Sequence, residues 1–124
     1  MTIRVLVADD QAMIRGALAG LLDLECDIEV VAQAADGAQA LDELARLASA
    51  DAPAHAPAHA SAPVDVAIID VEMPRMDGIT ATQAIRERFP GVRVLIVTTF
   101  GRPGYLQRAL DAGATGFMVK DAPV

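Results

Sequence analysis

Tryptophan is absent, tyrosine occurs once and aromatic residues make up 3 % of this 124-residue chain, so its core cannot be built on rings. The apolar mass is aliphatic instead, within a hydrophobic fraction of 53 %, which suits a Val/Ile-rich parallel sheet under helices. The single cysteine, Cys26, excludes an internal disulfide and points to a reducing compartment. It reads as a plain loop or core thiol. Positive charge is scarce, 10 Lys and Arg against 17 acids, and a net charge of −7 argues against this segment gripping a phosphate backbone. The same imbalance suits an acidic cation site. No apolar run approaches membrane length, and Arg4 inside the first strand with acids directly after it argues against a signal peptide. The expectation is one cytoplasmic domain with a single core and no membrane partner.

Alternating periodicities organise what is there. Ile3 to Ala8 reads as a first strand, and Gln11 to Leu22 as a helix with Ile14, Ala17, Leu18, Leu21 and Leu22 along one face. Ile28 to Ala34 is a second strand, after which Asp36 caps a helix from Ala38 to about Ala48 with Leu41, Leu44 and Ala45 inward. A third strand ends at Asp70, and a helix follows from about Ile79 to Phe89, stopped by Pro90-Gly91. Val92 to Val97 is a fourth strand, leading into Thr98-Thr99-Phe100. A short helix, about Gly104 to Ala112, carries Leu106, Ala109 and Leu110 and stops at Gly113. Gly116 to Val119 makes a fifth strand that runs into Lys120. Strands alternating with helices over short connections mean an α/β domain with a doubly wound, parallel five-stranded sheet.

Residues 49–63, with His55, Pro57 and His59 in an Ala- and Pro-rich run, break that economy and read as a flexible loop. Pro57 prevents the helix that would put both histidines on one face, so a metal pair is not expected there. With strand order 2-1-3-4-5, right-handed crossovers put the first helix on one face and the next three on the other. The first face is then half naked. Asp121-Ala122-Pro123 looks like the first turn of a fifth helix, an N-capping Asp with Pro just inside. The last helix is therefore expected to be missing, which predicts a fragment, or a second chain covering the bare face.

The stretch that organises the chain is Val64 to Gly78. Its apolar run is too short for a helix, stops at Asp70, and cannot continue past Pro74 as a sheet interior. Four strands end in chemically useful side chains: Asp9-Asp10, Asp70, Thr98 and Lys120. A parallel sheet brings these ends to one edge, where open α/β folds bind ligands. Carboxylates about 4 Å apart repel by about 4 kcal/mol per pair at an effective dielectric near 20, so either a proton or a cation must offset the charge. Hard oxygen donors suggest Mg²⁺. Asp70 then reads as a nucleophile toward phosphorus, Lys120 as the balancing charge, and the Thr98 hydroxyl as a donor to a phosphoryl oxygen. Taken singly, a strand-end Asp is a helix cap, Thr98 a turn residue and Lys120 a surface charge; the combination carries the reading.

Asp9-Asp10, Asp70 with Met73-Pro74 and Asp77-Gly78, Thr98, and Gly113-Ala114 leading to Lys120-Asp121 resemble the receiver domain of bacterial two-component response regulators, over all of residues 1–124 except the 49–63 loop. Thr98-Thr99-Phe100, Arg102-Pro103-Gly104-Tyr105 and Lys-Asp in place of Lys-Pro resemble the branch fused to a LuxR/NarL-type helix-turn-helix. The resemblance implies a flavodoxin-like fold with a DNA-binding output domain beyond the C-terminus. It implies Asp70 as phospho-acceptor, and Mg²⁺ held by Asp10, Asp70 and the Glu72 backbone carbonyl, with Asp9 acting through water. Thr98 becomes the switch hydroxyl, Phe117 the switch aromatic and Lys120 the phosphate partner. Read from the residues alone, Phe117 is equally a plain core aromatic.

The implied activity is acceptance of a phosphoryl group from a sensor histidine kinase, followed by homodimerisation that brings output domains together on DNA. No chemistry is expected beyond the chain's own phosphorylation and dephosphorylation. Two alternatives stand beside it. A haloacid-dehalogenase-like phosphatase shares an Asp nucleophile with an acid two residues on, as in Asp70-Val71-Glu72, but needs its further acids after the nucleophile, whereas Asp9-Asp10 precede it. A stand-alone receiver or interaction module would lack the output domain.

Overall fold

A computed structural model describes residues 2–51, 63–98 and 104–119. The elements run β1 (Ile3–Ala8), α1 (Ala12–Asp23), β2 (Ile28–Ala34), α2 (Gly37–Asp51), β3 (Val66–Ile69), α3 (Gly78–Arg88), β4 (Arg93–Thr98), α4 (Tyr105–Asp111) and β5 (Gly116–Val119). All neighbouring strands pair in parallel, in the order β2-β1-β3-β4-β5. This is the expected doubly wound, flavodoxin-like sheet. β1 and β3 are interior strands with apolar side chains toward both faces, which is why Val5 to Ala8 are all buried. Between β1 and β2 the register slips by one: Val5 faces Val30 and Leu6 faces Ala32, leaving Val31 as an extra residue in β2.

The core lies between the sheet and α2–α3, with Leu41 and Leu44 from α2 and Ile79 and Ile85 from α3 meeting Leu6, Ile69 and Ile96 of the strands. Asp36 and Asp77 start these two helices. Asp36 Oδ1 accepts from the Gln39 amide at 2.8 Å and Asp77 Oδ1 from the Thr80 amide at 2.8 Å. Gly113, at φ 101°, ends α4 in the left-handed conformation, as its place after the helical pattern predicts.

One expectation is corrected. Helix α2 runs to Asp51, so residues 49–51, expected in the loop, are helical. Nothing stops a helix in Ser49-Ala50-Asp51, and the first breaker is Pro53. The α1 stripe lies on the face expected to be half naked, and it is not buried as a unit. Only Ala19 is buried, while Ala17 is exposed and Leu21 is 64 % exposed, because among the described residues no other helix covers that face. On α4, Leu106 and Leu110 stand out in solvent and only Ala109 is buried. Residues 52–62, with the two histidines, and Asp121 to Pro123 lie outside the described residues.

Candidate functional site

Parallel pairing puts every strand's carboxyl end on one edge, and there the acids converge. One carboxylate oxygen from each of Asp9, Asp10 and Asp70 lies within 4.8 Å of the other two. Two of the three, Asp9 and Asp70, are held by backbone bonds. The Asp70 amide donates to the Ala8 carbonyl and the Asp9 amide to the Ala34 carbonyl, both at 3.0 Å, extending the β1–β3 and β1–β2 ladders by one bond. Asp9 and Asp70 are buried, at 2 % and 7 % exposure, whereas Asp10 is exposed. Asp9 Oδ1 also accepts from the Gln11 amide at 2.9 Å, and its carbonyl accepts from the Arg15 guanidinium at 2.7 Å. Three hard oxygen donors converging at a partly open edge fit a divalent cation such as Mg²⁺.

The loop after β3 is pinned on both sides. Gly78 opens α3 so close to the preceding strand that a Cβ there would stand 2.0 Å from the Asp70 carbonyl oxygen. Its amide donates to the Val71 carbonyl at 2.8 Å. Between them Met76 N donates to the Pro74 carbonyl at 2.7 Å across Arg75, whose φ is 65°. This is a γ-turn, and for a residue with a side chain such a conformation costs about 1–3 kcal/mol. Two contacts hold it, one from the first residue of α2 and one from the residue before it. The Gly37 amide donates to the Met76 carbonyl at 3.0 Å, and Arg75 donates through Nε and Nη2 to Asp36 Oδ2, the former at 2.7 Å. The Gln39 amide, and after it the Arg75 guanidinium, keep the Asp36 carboxyl below the usual aspartate pKa against the opposing effect of burial.

The other expected site residues are placed as follows. Thr98 is buried and is the last residue of β4 itself, opposite Val119 of β5. Glu72 is exposed in the pinned loop, and its Oε1 accepts from the Tyr105 hydroxyl at 3.2 Å. Phe117 is half-buried on β5, opposite Ile96, and packs against the core cluster. Lys120 lies outside the described residues. Sequence reasoning missed the Arg75–Asp36 and Tyr105–Glu72 pairs, which join residues 39 and 33 positions apart. An open cleft of about 380 Å³, bordered by Ile3, Asp65 and Arg93, lies at the opposite edge, where the strands begin.

With that geometry in place, the comparisons with known proteins decide the family. Residues 5–124 match the response regulator receiver domain. The chain belongs to that family. It is 38 % identical over 122 residues to the uncharacterised transcriptional regulatory protein YvfU of Bacillus subtilis, covering 98 % of this chain and 54 % of that protein. It is 38 % identical over 121 residues to the transcriptional regulatory protein DesR of the same organism, covering 98 % and 52 %. This receiver domain thus spans about half the length of the curated relatives it matches. Among solved structures, the signal receiver domain of the putative response regulator NarL from Mycobacterium tuberculosis superposes with a TM-score of 0.79 at 33 % identity, covering 98 % of this chain and 86 % of that one. A LuxR-family DNA-binding response regulator from Staphylococcus aureus gives 0.76 at 30 % identity, covering 98 % and 88 %. These relatives agree with the branch resemblance carried by residues 98–105. Among the described residues, no helix is long and apolar enough to cross a membrane.

Proposed function

We propose that this receiver domain accepts a phosphoryl group on Asp70 from a histidine kinase and passes the signal to a DNA-binding output domain. The observation that carries this reading is the convergence of the Asp9, Asp10 and Asp70 carboxylates at the sheet edge where β4 also ends, in the buried Thr98. Asp10 and Asp70, the Glu72 backbone carbonyl, and Asp9 through water would hold Mg²⁺. When bound, the ion neutralises charge on the phosphoryl oxygens. The chain's own residues do the rest. An Asp70 carboxylate oxygen attacks phosphorus in line, the new O–P bond forms as the P–N bond of a phosphohistidine already protonated on its other ring nitrogen breaks, and the histidine leaves as neutral imidazole. Lys120 offsets the added negative charge and the Thr98 hydroxyl donates to a phosphoryl oxygen.

Thr98, drawn toward the phosphoryl group, vacates space that Phe117 turns inward to fill. The surface of α4 and β5 changes with it, shifting a population of two packings toward a self-associating one. Two relatives named as transcriptional regulators, each about twice this length, support a transcriptional output in the cytoplasm. The test is intact-mass measurement after acetyl phosphate with and without Mg²⁺, together with sizing. One added phosphoryl group, dependent on Mg²⁺, is expected on the wild type and none on Asp70→Asn. A variant that still takes the label removes Asp70 from its role, and a labelled wild type that does not change size removes dimerisation.

A further inference from the structure

Glu72 serves two structures at once. Its backbone belongs to the loop directly after Asp70, while its side chain is bonded to the residue that opens α4, 33 positions away. That residue, Tyr105, is half-buried against the core cluster, and the Arg108 guanidinium lies 5.8 Å from its ring centroid. The ring is therefore anchored and only the hydroxyl reaches out. The carboxylate it holds stands outside the group that Asp9, Asp10 and Asp70 form within 4.8 Å. We infer that Tyr105 is a positioning residue: its hydroxyl holds the Glu72 carboxylate out of the acidic pocket, so that a divalent cation in the pocket and helix α4 compete for one side chain.

This inference rests on the reading of the pocket as a Mg²⁺ site. Glu72 follows Asp70 by two residues, so with the Tyr105 bond gone its carboxylate would be drawn toward an ion held by the three acids that converge among the described residues, and one more negative oxygen donor strengthens divalent binding. Coupling between two sites is reciprocal. Whatever ion affinity the Tyr105 hydroxyl removes by restraining Glu72, the ion returns by loosening the first turn of α4. The chain thus has a direct side-chain link between pocket occupancy and α4, independent of Thr98 and Phe117.

The experiment is Mg²⁺ titration by calorimetry on the wild type, Tyr105→Phe, Glu72→Gln and the double variant. Phenylalanine keeps the buried ring and removes only the hydroxyl. Tyr105→Phe is expected to bind Mg²⁺ about three- to tenfold more tightly, the effect of one modest hydrogen bond. In the Glu72→Gln background the same substitution is expected to change nothing. A second readout needs no change at Tyr105. As the sole tyrosine in a chain without tryptophan, it emits alone, and a carboxylate acceptor quenches a phenol. Mg²⁺ should therefore raise emission in the wild type and leave it flat in Glu72→Gln. Equal Mg²⁺ affinity with and without the hydroxyl, or the same shift in both backgrounds, overturns the role of Tyr105 and leaves the pocket reading intact. A wild type that binds no Mg²⁺ overturns both.

Discussion

The two faces of the sheet are built to different standards. On one, α2 and α3 interlock over the strands, and Leu44, Ile79, Ala81 and Ile85 are all buried. On the other, α1 has a single buried residue, Ala19, while Met13 and Leu24 are 87 % and 80 % exposed. The same aliphatic alphabet gives a closed core on one side and an apolar surface on the other. What differs is the number of described elements that topology sends to each side, because right-handed crossovers in this strand order put α2, α3 and α4 together and, among the described helices, leave α1 by itself. The lesson concerns the site as well. Its cross-bonded parts, the β2–α2 and β3–α3 loops that meet through Asp36 and Arg75, connect to the helices of the closed face.

Substitutions can break this contrast or sharpen it. The largest effect belongs to Leu44→Ala, which empties a fully buried site in α2 and should cost about 2–5 kcal/mol in urea unfolding. A loss under about 1 kcal/mol would mean the closed face repacks as easily as a surface. Next comes Asp36→Asn. Asparagine still caps α2 but no longer carries the charge that faces Arg75, so about 1 kcal/mol should be lost at neutral pH, a modest figure because the Arg75 side chain is 70 % exposed. The pH dependence has a definite sign. A carboxyl whose pKa is lowered on folding contributes stability above the ordinary aspartate value, near about 4, and that contribution disappears as pH falls through the lowered value. Wild type and Asp36→Asn should therefore converge in thermal melts taken into acid. The smallest effect is expected for Leu21→Ala on α1, within about 0.5 kcal/mol, because that side chain already meets solvent. A loss comparable to that of Leu44→Ala would show that the open face is covered in solution.

Much of the fold was legible because it rests on local patterns. The bounds of β1, β2 and β5 follow from their apolar runs, and Asp36, Asp77 and Gly113 act where capping and left-handed stops are expected. The convergence of Asp9, Asp10 and Asp70 was legible for a different reason: parallel order alone delivers strand ends to one edge. The Arg75–Asp36 and Tyr105–Glu72 pairs were not. Each joins two loops or a loop and a helix through long polar side chains, with no period in the sequence to announce the meeting. The exposure of the α1 stripe was half legible. Topology foretold a bare face, but the periodicity of Ile14, Leu18 and Leu21 reads the same whether or not anything covers it.

The extra residue in β2 has a consequence for the rim of the sheet. β2 is an outermost strand, so one side of its backbone has donors and acceptors that another polypeptide could pair with. The bulge at Val31 breaks the regular spacing halfway along, and the exposed Glu29 and Gln33 flank the break. An intruding strand would lose register after two or three bonds and meet a charge on the way in, so the sheet resists growth past its β2 edge.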